Sequence, residues 1–94
     1  MKAIVAGRVI AESDDIVECD GYHYFPRSAV RMESLVTAPK TESDYACPHG
    51  VQFYDVVSDG EHHKRAAWSY EAPRAAMEQV AGRFGFWKDV EVVC

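Results

Sequence analysis

Turn-forming residues punctuate this chain at short intervals, and that spacing restricts it to short elements. Signals stand at Gly7, Ser13-Asp14-Asp15, Asp20-Gly21, Pro26, Ala38-Pro39-Lys40, Cys47-Pro48-His49-Gly50, Asp59-Gly60 and Gly82. Short apolar runs bounded by such turns indicate a mainly β protein. The expected fold is compact and mostly antiparallel, with short strands and one or two short helical turns. A chain of 94 residues fits one domain, residues 1–94, within the usual range of about 50–250.

The runs between the turns read as strands. Lys2 to Ala6 and Arg8 to Ala11 flank Gly7. Ile16 to Cys19 and Tyr22 to Phe25 flank Asp20-Gly21, residues that tolerate the positive φ of a type I′ hairpin. From Val51 to Val57 both alternating sets are mostly apolar, as in a central strand packed on both faces. Asp59-Gly60 predicts a second hairpin, with His62, His63 and Lys64 extending the return. Side chains alternate along a strand, so Ala66, Trp68 and Tyr70 should share one face. Phe84 to Trp87 and Val90 to Val93 give two more strands around Lys88-Asp89. Arg27 to Leu35 reads as one helical turn followed by a strand around Glu33 to Val36. Pro73 to Ala81 reads as a short helix with Ala76, Met77 and Val80 on its docking side. Gly82 can close it in the left-handed conformation.

Charge excludes one class of function. Ten Lys+Arg stand against fifteen Asp+Glu, a net charge of −5. A protein that coats nucleic acid needs a basic face to neutralise phosphates, so no nucleic-acid partner is expected. The apolar run near Met1 is broken by Gly7 and carries Lys2 and Arg8. A secretory leader needs about 7–15 uninterrupted apolar residues and a membrane helix about 20. Neither is expected, and the protein is read as cytoplasmic, with Met1 as its start and no membrane partner. Cys19, Cys47 and Cys94 are too few and odd in number for a disulfide framework. No Cys pair has zinc-finger spacing, and adjacent His62 and His63 would diverge on a strand, so no metal and no cofactor are expected. There is no glycine-rich dinucleotide motif, phosphate-binding loop or nucleophile-elbow serine.

Two candidate sites remain. Tyr45-Ala46-Cys47-Pro48-His49-Gly50 sets a thiol and an imidazole beside the central strand, so Cys47 and His49 are candidate catalytic residues for thiol chemistry. Buried cysteine is also common as plain packing. The second candidate draws on the aromatic residues clustered in the sequence. Tyr54, Trp68 and Tyr70 could wall a pocket for a small anionic or planar ligand, with Arg31 as its cationic anchor. Trp68 is then expected to have one ring edge buried and the other facing a cleft that Arg31 reaches.

Several segments together resemble the bacterial and fungal family known as domain of unknown function 427. They are His23-Tyr24-Phe25-Pro26 with Ser28-Ala29-Val30-Arg31, Cys47-Pro48 through Gly50 with Phe53-Tyr54-Asp55-Val56, Ala67-Trp68-Ser69-Tyr70 with Pro73, and Gly82-Arg83 with Phe86-Trp87. They run in order along essentially the whole chain. The family commonly carries Trp-Lys-Gly after the Cys-Pro pair, whereas here only His49-Gly50 follows. The resemblance implies a β-tent type fold, similar to those of methionine sulfoxide reductase B and the cereblon ligand-binding domain. Related β-tent proteins often hold zinc with two cysteine pairs, which this chain lacks. Some family members carry nucleotidyltransferase-style labels, but no Gly-Ser plus paired-acid motif is present here.

The reading that follows is a small soluble domain that serves as a binding module for a small molecule or a peptide end. A small thiol enzyme using Cys47 and a structural or partner-interaction protein are the alternatives. The expected state is a monomer or weak homodimer.

Overall fold

In a computed structural model that describes residues 1–94, the side chain of Ala76 excepted, the chain folds into nine strands, seven of them short and two, of eight and ten residues, forming the central hairpin. They are β1 (Lys2–Val5), β2 (Arg8–Glu12), β3 (Val17–Cys19), β4 (Tyr22–Tyr24), β5 (Leu35–Thr37), β6 (Val51–Ser58), β7 (Glu61–Tyr70), β8 (Phe84–Phe86) and β9 (Val90–Val93). One α-helix, α1 (Glu42–Ala46), lies between β5 and β6, and three 3-10 turns complete the set. The strands form three sheets in the orders β2-β1-β9, β3-β4 and β5-β6-β7-β8. Every paired strand is antiparallel to its neighbour. The protein is therefore mainly antiparallel β, as the turn spacing predicts.

The hairpins close where the sequence places them. Asp20 and Gly21 have φ of 51° and 84°, and Asp59 and Gly60 have 50° and 82°. Positive φ at both central residues matches the right-handed twist of the flanking strands, which is why these dipeptides serve. Arg27–Ala29 and Met32–Ser34 form two 3-10 turns ahead of β5 where one turn is expected. The segment after Pro73 forms a 3-10 helix, Ala75–Val80, rather than an α-helix. Met77 and Val80 dock from it as predicted, while the Ala76 side chain lies outside the described residues.

The four-stranded sheet has a core on each face. One face carries Tyr54, Val56, Ala67, Phe84 and Phe86, packed against Val5 and Ile10 of the three-stranded sheet and against Phe25. The other carries Val51 and Trp68, covered by Tyr24 and Val80. Burial on both sides explains the near-continuous apolar character of β6. Each large side chain so buried contributes about 1.5–3 kcal/mol. Paired hydrogen bonds between Phe25 and Phe84, both 2.9 Å, anchor the end of β4 to β8 and hold the small hairpin over the second face.

The alternation of β7 is interrupted. Tyr54 pairs with Ala67 but Val56 pairs with His63, so a bulge lies between them. Arg65, within it, has φ of 55°. Bulges re-aim side chains. Here Ala66 turns into the first core beside Ala67, a correction to the face shared with Trp68 and Tyr70 that strict alternation predicts. Arg65 is swung out over Phe53, on the second face.

Candidate ligand-binding site

The register of β6 and β7 sets Phe53 directly across from Trp68. Tyr70 follows two residues on, and β8 ends one residue before Trp87. The Trp87 amide is fixed by a 3.0 Å hydrogen bond to the Ala66 carbonyl. Tyr22, the first residue of β4, comes over from the small hairpin. These five rings line an open cleft of about 120 Å³.

The rings meet mostly edge to face, the arrangement their quadrupoles favour. Tyr22 and Trp68 are 4.9 Å apart at 85°, and Trp68 and Trp87 are 5.3 Å apart at 68°. Phe53 and Trp87 lie nearly parallel, 6.0 Å apart. Trp68 forms the floor and is only 4% exposed, whereas Tyr22 is 38% exposed and forms an outer wall. Below the floor the Trp68 indole N–H donates to the Tyr24 hydroxyl at 3.3 Å. Burial pushes the Tyr24 phenol up to about 12, against a smaller downward pull from that donated hydrogen bond.

One charged group stacks on a ring of the wall. The Arg65 guanidinium stands 4.0 Å from the centre of the Phe53 ring. It also grips Asp44 through two hydrogen bonds of 2.9 and 2.8 Å. Asp44 is positioned by a capping box at the start of α1, in which the Thr41 amide donates to its carboxylate and its own amide donates to the Thr41 hydroxyl. The Arg65 hydrogen bonds hold the Asp44 carboxyl at about 2, against the upward push of burial. The bulge backbone takes part as well. The Arg65 amide donates to Asp55 Oδ1 at 3.0 Å, and its carbonyl accepts from the Trp87 indole N–H. The Lys88 ammonium lies over Trp87, 5.0 Å from its ring centre.

The residues expected to form one pocket separate in the structure. Trp68 and Tyr70 lie together on the cleft. Tyr54 is on the opposite face of the sheet, buried in the first core with its ring 5.2 Å from Phe84. Its position next to Phe53 on an alternating strand requires this. Arg31 lies beside β2, donating its amide to the Ile10 carbonyl at 2.8 Å and lining a separate groove with Val9, Glu12 and Ser28. The structure thus brings neither Arg31 nor Tyr54 to the cleft: Phe53 stands across from Trp68 where Tyr54 was expected, and Arg65, not Arg31, is the arginine beside these rings. Tyr22, Phe53 and Trp87 belong to the aromatic cluster visible in the sequence. Arg65 is hidden there because it sits in a polar hairpin run and depends on a bulge.

Cys47 caps the end of α1 and is half-buried against the second core. His49 uses its Nδ1 to accept the Arg74 amide at 2.9 Å, and its ring stands edge-on to Tyr70 at 5.7 Å. That nitrogen is engaged in holding the loop rather than a thiol proton. Among the described residues, no three His, Cys, Asp or Glu side chains gather as a metal site. No helix among them is long and apolar enough to cross a membrane.

No curated protein matches the chain. A family match covers residues 1–94, the whole of the fold and cleft just described, and the chain belongs to that family, described as a domain of unknown function (DUF427).

Proposed function

We propose that this protein is a small-ligand binding module whose site is the cleft between Tyr22, Phe53, Trp68, Tyr70 and Trp87. The observation that carries the reading is the convergence of five aromatic rings from β4, β6, β7 and the end of β8 on an open space. Aromatic lining with a few placed polar groups is the usual make-up of ligand sites. The volume sets the scale of the ligand. About 120 Å³ is below the ~300–1,000 Å³ of sites for drug-sized molecules, so the cleft suits one planar ring or the end of a peptide. A net charge of −5 also favours a small ligand over a phosphate backbone.

The test is a fragment screen read by the two indole N–H resonances, those of Trp68 and Trp87. Single-ring ligands are expected to shift both signals in the native protein and to lose affinity on Tyr22→Ala. Tyr22 is an outer wall, so this variant keeps the fold. A ligand present at 100 times its Kd should add about 2.7 kcal/mol of stability. A diverse library that leaves both indole signals unmoved overturns the reading.

A further inference from the structure

Resting on the cleft as a ligand site, we infer that its ligand carries a negative charge beside the ring, held by Lys88. Aromatic cages commonly bind cations, because the face of each ring is negative. Here two of the five faces already have cations of their own. Arg65 stands 4.0 Å from the Phe53 centre and Lys88 stands 5.0 Å from that of Trp87. Arg65 is neutralised within the protein, so a cationic ligand entering the cleft meets unbalanced like charge at Trp87.

The two cations differ in what balances them. Arg65 is matched by the buried Asp44 carboxylate through two hydrogen bonds and serves the architecture. Lys88 is exposed and makes no ion pair among the described residues. Its neighbour Asp89 turns to His63 instead, Oδ2 standing 3.0 Å from Nδ1. The ammonium therefore stands without an ion-pair partner over Trp87, a ring of the cleft. Its long side chain can turn from the ring to a ligand anion without breaking any bond within the protein. The unpaired ammonium over Trp87 directs the ligand's carboxylate to the Trp87 and Lys88 side. The chemical class is an aromatic ring within a few bonds of a carboxylate. A free arene acid and the carboxyl end of a peptide finishing in an aromatic residue both present it.

The experiment titrates the native protein with phenylacetate, phenylacetamide and benzylamine, reading the indole N–H shifts. The expected order of affinity is acid, amide, amine. Lys88→Asn suits the positive φ of 58° at this position and removes the charge. It should weaken phenylacetate roughly two- to fivefold, the range of one exposed ion pair, and leave phenylacetamide unchanged. Lys88→Arg should restore the acid. Raising salt should narrow the gap between acid and amide. N-acetyl-Gly-Phe, as free acid and as amide, separates the sources: tighter binding than phenylacetate assigns a peptide end, weaker binding a free small molecule. Amine binding as well as acid, or an acid preference that survives Lys88→Asn, overturns the inference while the cleft reading stands. Binding of none of the probes overturns both.

Discussion

The Trp68 indole occupies the space that a side chain at Gly85 would fill. A methyl group built on Gly85 would stand 2.6 Å from Trp68 Cζ2 and 2.7 Å from Cε2, inside any real contact. The two residues are cross-strand partners of β7 and β8, so the glycine lets a large ring lie over its neighbour's backbone and floor the cleft. Gly85→Ala is therefore expected to push the indole outward. Overpacking of this kind costs about 1–3 kcal/mol. Chemical denaturation should register that loss, and the near-ultraviolet circular dichroism of the tryptophans should change with it.

Asp44 and Arg65 predict an acid-sensitive fold. The Asp44 carboxyl is lowered from 3.8 to about 2 by Arg65. A depressed folded-state value adds stability above pH ~4, and that contribution disappears as the pH falls through ~2. At neutral pH it amounts to about 2 kcal/mol. Asp44→Asn should be less stable than the parent at pH 7, with the gap closing as pH is lowered from 4 to 2. Thermal melts of both proteins across that range provide the check, and a gap independent of pH would contradict the pairing.

Tyr24 and Trp68 form the buried polar contact under the cleft. Tyr24→Phe removes the acceptor of the indole N–H and is expected to cost about 1–3 kcal/mol, the penalty for an unsatisfied buried donor. Trp68→Ala should cost about 3–5 kcal/mol, as for other large buried aromatics. The phenol also makes the parent protein alkali-sensitive. Its folded value of about 12 lies above the ordinary 10, so its contribution is complete below pH ~10 and is lost as pH rises through ~12. Tyr24→Phe should flatten this part of the stability profile.

The three thiols should react in a fixed order. Cys94 is exposed, whereas Cys19 and Cys47 are half-buried, and Cys19 Sγ lies 3.5 Å from Met77 Sδ. A thiol-specific chromogenic reagent is expected to label Cys94 rapidly and the other two only slowly until denaturant is added. Labelling of Cys47 ahead of Cys94 in the native protein would revive the thiol-enzyme reading.

Much of the architecture can be read from local residues, and the site only in part. Asp20-Gly21 and Asp59-Gly60 mark their hairpins because the constraint is local: two successive positive φ values demand such residues. The two-faced burial of β6 is legible in its apolar alternation. The cleft depends on relations that local patterns do not carry. Phe53 rather than Tyr54 faces Trp68 because of a register set across two strands. Arg65 reaches Phe53 only because a bulge displaces it. Arg31 lies with β2 through a single long-range hydrogen bond to Ile10. α1 is missed because five residues carry no periodicity; only the Thr41 and Asp44 capping pair announces it.

The left-handed backbone of Arg65 has a consequence for how this family's sequences can vary. At φ of 55° glycine is the residue the backbone alone would favour, yet glycine there would leave the Asp44 carboxylate buried without its cation. The two positions are thus expected to change as a unit. Lineages that keep an acid at position 44 should tolerate the awkward backbone at position 65, and those that give up the arginine should give up the acid as well and be free to adopt glycine in the bulge.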